Sequence, residues 1–282
     1  MVDFPIVDTH VHLWDPNHLR YSWLDDIPLL NQRYLLEEYR RACGAVKVEQ
    51  MVFVQCECDA GQHVQEAEWV SGLARQDGRI RGIVANAPLE RGAAVDADLE
   101  ALARIPLVKG IRRLLQSEDA GFCLQPGFIE GVRLLPSHGL SFDICIFHPQ
   151  LANTIEFVRQ CPDVSFILDH IGKPDIKNQV FDPWKDELRT LAQMPNVYCK
   201  LSGLVTEADM EKWTPEDLKP YIDHVIACFG IDRVMYGGDW PVAFQATEYP
   251  RWVETLSWAT SGLSDADRRK LFHDNAISFY RL

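Results

Sequence analysis

Short apolar runs rich in β-branched residues recur along the whole chain, each followed by a polar, turn-prone stretch. They are FPIVDTHVH (4–12), QMVFVQCE (50–57), RIRGIVANA (79–87), LVKGIRRLL (107–115), LSFDICIF (140–147), VSFILDH (164–170), NVYCKLSG (196–203) and DRVMYGG (232–238). Runs of this length and make-up read as strands. Between most of them lie segments of helical period, such as QEAEWVSGLARQ (65–76), LANTIEFVRQ (151–160) and PWKDELRTLAQ (183–193). Strands that alternate with helices call for parallel pairing. Eight such units predict an α/β protein with a closed (β/α)8 TIM barrel, and a barrel of this kind uses about 250 residues as one domain. The whole chain, 1–282, is therefore expected to form a single domain. Residues 13–49 are the longest insertion after a strand and are expected to lie over the barrel mouth. ATEYPRWVETLSWA (246–259) and DADRRKLFHDNAISFYRL (265–282) read as closing helices.

Composition narrows the functional classes. With 28 Lys plus Arg against 41 Asp plus Glu, the formal net charge is −13. That balance argues against nucleic acid and against an anionic membrane surface as partners. No apolar run approaches the roughly 18 residues of a membrane span. The start, MVDFPIVDTHVH, has neither the basic region nor the long apolar region of a secretory signal. The eight cysteines are scattered, mostly within apolar runs, which suits reduced thiols in a cytoplasmic protein. Neither G-x-G-x-x-G nor G-x-x-x-x-G-K-[ST] occurs, so the dinucleotide and P-loop readings lose their main support.

Catalytic groups of such barrels stand at the C-terminal ends of the strands. The first run ends in His10-Val11-His12, and period-2 alternation turns both imidazoles to one face. The sixth ends in Asp169-His170, and the eighth runs into Gly237-Gly238-Asp239-Trp240-Pro241. Three imidazoles and one carboxylate at one end of a barrel form a candidate mononuclear site. Zn²⁺ takes four N, O or S ligands and leaves room for water in catalytic sites. The same groups would also work without metal, with imidazoles polarising a carbonyl and Asp239 activating water. His148 ends the fifth run and joins the substrate-facing candidates, although Pro149 after it redirects the chain. Of the adjacent Arg112 and Arg113, alternation lets only one face inward, and Arg112 is the expected substrate contact. Trp14 and Trp240 are expected to stack on the apolar face of a sugar, while for Trp23 packing of the loops stands as an equal alternative. The remaining histidines, His18, His63, His138, His224 and His273, fall in loops or helices and carry no expected role.

Four segments, VDTHVHLWDP, LDHIGKP, YGGDWPV and the ending HDNAISFYRL, resemble the amidohydrolase superfamily. More narrowly, they resemble its amidohydrolase 2 branch, which contains sugar-lactone and aromatic-pathway lactone hydrolases. The resemblance spans essentially the whole chain and implies a distorted TIM barrel with its site at the C-terminal face. It aligns His10, His12, His170 and Asp239 with the metal-binding or carbonyl-polarising and water-activating positions. Binuclear members use a bridging residue from strand four, and Lys109 differs in parity from Arg112. One divalent ion at most is expected, Zn²⁺ first, with metal-free catalysis equally consistent with this branch. The implied activity is hydrolysis of a small-molecule lactone derived from a sugar, with L-fuconolactone or a similar aldonolactone as first choice. The competing readings are a metal-dependent, non-oxidative decarboxylase of an aromatic acid and a non-catalytic ligand-binding barrel.

Overall fold

Branched side chains favour extended backbone because they pack well on a pleated surface, and the eight apolar runs do form strands. The computed structural model describes residues 2–282. Its strands are β1 (Ile6–Val11), β2 (Val48–Val54), β3 (Ile80–Ala85), β4 (Val108–Ile111), β5 (Ser141–Ile144), β6 (Phe166–Leu168), β7 (Val197–Leu201) and β8 (Val234–Tyr236). All neighbours pair in parallel, in the order β1 to β8. The helices are α1 (Leu36–Cys43), α2 (His63–Ala74), α3 (Asp96–Ala103), α4 (Pro126–Arg133), α5 (Leu151–Arg159), α6 (Trp184–Ala192), α7 (Leu204–Glu207), α8 (Pro215–Phe229) and α9 (Tyr249–Ala259). The C-terminal helical segment is α10 (Asp265–Arg269), a π turn over Lys270–Asp274, and α11 (Asn275–Tyr280). This is a (β/α)8 TIM barrel. No helix of the described residues is long and apolar enough to cross a membrane.

Several strands are shorter than the apolar runs that predicted them. The run 107–115 forms a ladder only over Val108–Ile111, and the remainder bends away to line the mouth. One apolar cluster fills the space between strands and helices. A second lies inside the barrel, where Val7, Val52, Val54, Val84, Ile167 and Met235 pack against Ala276 and Tyr280 of α11.

The β1–β8 seam closes beside the candidate site. The Asp239 N–H donates to His10 O at 2.8 Å, and the His12 N–H donates to Trp240 O at 2.8 Å. β1 also breaks register with β2 between Asp8 and Val11. Such a break re-aims side chains. Asp8 turns outward to Tyr39 of α1 and Tyr249 of α9, while His10 turns inward. Closure therefore ties the backbone carrying Asp239 directly to the backbone carrying His10 and His12.

Candidate active site

Small residues let the catalytic segments approach one another. A Cβ on Gly237 would come 2.8 Å from His10 Cβ and 2.9 Å from Ser202 Cβ. A Cβ on Gly203 would collide with the His170 ring and come 3.1 Å from Asp239 Oδ2. His170 and Asp239 themselves hold left-handed backbone, each with φ of +53°. Non-glycine residues in that region are costly and cluster where surrounding packing enforces a functional geometry.

Asp239 Oδ1 is the centre of the arrangement. It lies 3.6 Å from His12 Nε2, 3.8 Å from His10 Nε2 and 4.0 Å from His170 Nε2. All four side chains are buried. His12 Nδ1 is 2.8 Å from the Val54 carbonyl, which can only accept, so the ring proton sits on Nδ1. His12 then turns a lone pair on Nε2 toward a carboxylate oxygen. Two acceptors facing each other call for a cation or a water proton between them. The ligand atoms of His10, His170 and Asp239 lie within 4.8 Å of one another. Imidazole nitrogens, a carboxylate and a back-bonded His12 form a donor set that fits one divalent ion.

Electrostatics keep the imidazoles neutral and the carboxyl ionised. Burial drives His10 well below its ordinary value, and Lys200, His12 and Arg112 push it further down. Burial lowers His12 as well, although Asp239 opposes the shift. His170 falls well below its usual value by burial, against the pull of Asp239. Burial alone would raise Asp239, but the surrounding ionisable groups, the cation Lys173 among them, outweigh it and hold the carboxyl below the usual range.

A column of buried charge supports this layer from inside the barrel, and sequence reasoning missed it. Lys200 of β7 lies 2.6 Å from Asp143 of β5, 2.9 Å from Asp169 Oδ1 and 3.4 Å from His10 Nδ1. The Tyr280 hydroxyl donates to Asp143 at 2.8 Å. The signal was present: a lysine and an aspartate interrupt otherwise apolar strand runs, and such residues stay buried only when paired.

The mouth holds a cavity of about 270 Å³, with His12, Arg112, His170 and Asp239 among its lining. Trp14 and Trp23 give it an aromatic wall, and Glu57, Gln116, Ser117, Lys173 and Thr206 give it polar ones. Arg112 faces inward, as strand parity required, but its guanidinium is engaged. It donates to Gln55 O at 2.6 Å and reaches Asp169 Oδ2 and His10 Nε2 at 3.5 and 3.3 Å. Arg113 turns away to Glu90 and Glu118, and Lys109 does not line the cavity.

Two expected substrate contacts need correction. Trp240 is buried among Tyr34, Tyr39 and Phe244 and does not line the cavity, because the chain after Asp239 folds back under the long β1 loop. His148 opens the 3-10 turn His148–Gln150, where Pro149 leads the chain into α5, and it too stays outside the cavity. Trp23, for which stacking and loop packing both stood open, does line it.

The amidohydrolase family model matches residues 7–282. The L-fucono-1,5-lactonase of Burkholderia multivorans is 31% identical over 289 residues, covering 98% of this chain and 96% of that protein. A crystal structure of an amidohydrolase from Burkholderia multivorans with bound HEPES superposes with a TM-score of 0.88 at 29% identity, covering 99% of this chain and 100% of that one. A second crystal structure of an amidohydrolase from that organism, with bound zinc, has a TM-score of 0.87 at 27% identity over 99% of this chain and 100% of its own.

Proposed function

The chain belongs to the amidohydrolase family, and on that premise we propose that it hydrolyses a neutral, sugar-derived lactone to the hydroxy acid. The observation that carries this reading is the floor of the cavity. The Asp239 carboxylate stands there with His12 and His170, and His10 lies 3.8 Å from it outside the cavity lining, below an aromatic and polar mouth. Lactone opening needs an activated water, a polarised carbonyl and a stabilised oxyanion. Asp239 takes one proton from water as its oxygen bonds to the lactone carbonyl carbon. The carbonyl electron pair moves onto oxygen at the imidazole layer. Collapse of the tetrahedral adduct breaks the ring C–O bond, and the proton held on Asp239 passes to the departing ring oxygen. His10, His12, His170 and Asp239 would hold a divalent ion, with Zn²⁺ our first choice on ligand type. When bound, the ion would supply a Lewis acid for the carbonyl oxygen and acidify water.

A neutral substrate is favoured by Arg112, whose Nη1 and Nη2 already have partners and whose Nε is buried. A carboxylate in the substrate would need a guanidinium free to clamp it, and this one already serves Gln55, Asp169 and His10. L-Fucono-1,5-lactone is our first candidate, since the relative of that name is 31% identical over nearly the whole chain. The eight unpaired cysteines support a reducing, cytoplasmic setting for a single domain spanning 1–282.

A substrate panel with metal analysis tests the reading. Neutral aldonolactones should show higher kcat/KM than carboxylated lactones, after correction for spontaneous hydrolysis. The bound metal should not exceed one ion per chain. Faster turnover of anionic lactones would overturn the sugar assignment, and metal-dependent release of CO₂ from an aromatic acid would replace it with decarboxylation. Tight ligand binding with no turnover would favour a binding barrel.

A further inference from the structure

Glu57 stands three residues beyond β2, in left-handed backbone with φ of +53°, and it lines the cavity. Its placement is tightly specified. Gln55 Nε2 donates to Glu57 Oε1 at 2.7 Å, Asn86 Nδ2 donates to the same oxygen at 3.3 Å, and the Glu57 N–H donates back to Gln55 Oε1 at 2.6 Å. Gln55 is fully buried and cannot swing away. Among the described residues no cation forms an ion pair with Glu57, and its Oε2 makes no hydrogen bond. A carboxylate held by neutral amides, with one oxygen unused beside a cavity, is a built acceptor.

The donors stand across the mouth. In an eight-stranded barrel the ends of β2 and β6 are diametrically opposed, and Lys173 follows β6. Its Nζ donates to Gln116 Oε1 at 2.6 Å, which leaves the Gln116 Nε2 protons without a partner. The segments therefore differ in kind: an acceptor after β2, and donors after β4 (Gln116) and β6 (Lys173, which also lies 4.0 Å from Glu207), with Trp14 and Trp23 lining the same cavity. Sugar hydroxyls both donate and accept, so a polyhydroxylated ring satisfies both sides. A carboxylated ring would set its charge against Glu57 or leave that oxygen unpaired.

Building on the lactonase reading, we propose that Glu57 is the specificity-determining residue of this site. It accepts hydrogen bonds from the hydroxyls of the lactone ring and excludes anionic lactones. The test compares wild type with Glu57→Gln and Glu57→Ala on three probes: L-fucono-1,5-lactone, unsubstituted δ-valerolactone and a carboxylated δ-lactone. The readout is the ratio of kcat/KM values, which cancels any general loss of folding or chemistry. Hydrogen bonds to a charged group carry enough energy that the hydroxylated-to-unsubstituted ratio should fall about 10- to 100-fold in Glu57→Gln. The preference for neutral over carboxylated lactone should narrow about tenfold in both variants. A ratio equal to that of wild type, with all substrates losing alike, overturns the proposal and makes Glu57 a purely structural residue. If wild type opens δ-valerolactone but not the sugar lactone, lactonase activity stands and the role of Glu57 falls. If wild type opens no lactone, the proposed function itself fails, and this inference with it.

Discussion

Asp8 and Asp239 sit on either side of the same seam, both fully inside the protein, and they are opposites. Asp239 faces the cavity, with three imidazole nitrogens near one oxygen, and is held ionised below the usual carboxyl range. Asp8 faces the helices and accepts from the backbone N–H of His10 and Gly238 and from the hydroxyls of Tyr39 and Tyr249. Burial pushes it up to about 6 against those neutral donors. Glu66 of α2 resembles Asp8: it is buried, accepts from the Cys56 N–H at 3.2 Å, and is pushed by burial to about 8. Burial by itself therefore does not mark a reacting carboxylate. What distinguishes Asp239 is a cavity beside it and partners that are unsaturated, whereas Asp8 has every lone pair spoken for. The first arrangement can take up a proton or an ion; the second can only hold strands to helices.

The largest expected effect breaks the pair apart on activity. Asp239→Asn should lower kcat for lactone opening by about 10²–10⁴-fold, while chemical denaturation finds stability within about 1 kcal/mol of wild type. Activity within threefold of wild type would remove Asp239 from the mechanism.

Asp8→Asn should show the reverse. A carboxamide has one accepting oxygen for four donors, so stability should fall by about 2–4 kcal/mol. The kcat of the remaining folded protein should stay within tenfold of wild type. A variant that is fully stable yet inactive would give Asp8 a chemical role and erase the contrast.

Stability against pH sharpens the comparison through Glu66. Its folded value of about 8 lies above the 4.5 of an ordinary glutamate, so the folded state binds more protons between those values. Its contribution is fully present below about pH 4.5 and is lost as pH rises through 8. Glu66→Gln should flatten that decline, leaving the variant less sensitive than wild type by roughly 3–4 kcal/mol between pH 5 and 8 in urea titrations. Parallel curves for the two proteins would show that Glu66 does not titrate in this window.

The smallest expected effect is a flat line. Asp239 is ionised above a value lower than the ordinary 3.8, and the three imidazoles are neutral above values lower than 6.5. Both requirements are met from about pH 6.5 upward. With hydrolysis of the free lactone subtracted, kcat/KM should vary less than about twofold from pH 6.5 to 8. An acid limb centred above pH 6.5 would transfer the base role from Asp239 to another group.

Much of this was legible without coordinates. Apolar runs alternating with helical segments are a local property, and local periodicity specified eight parallel strands. Strand ends are local too, so His10, His12, His170 and Asp239 were identifiable where a barrel places its chemistry. Parity separated Arg112 from Arg113. Direction beyond the strand end is not local. Trp240 and His148 each stand four residues past the end of their strand, and the turns there carry them into packing rather than into the cavity.

The sequence by itself determined the barrel, its order and the residue types at its mouth, because these follow from spacing along one chain. Only the tertiary structure decided where groups stand: Lys200 between Asp143 and Asp169, Glu57 held by Gln55 and Asn86, Lys173 on Gln116, and Asp8 turned away from Asp239. The reason is physical. Those encounters depend on barrel closure, a register break in β1 and left-handed residues at 57, 170 and 239. Each is settled by packing between segments far apart in the chain.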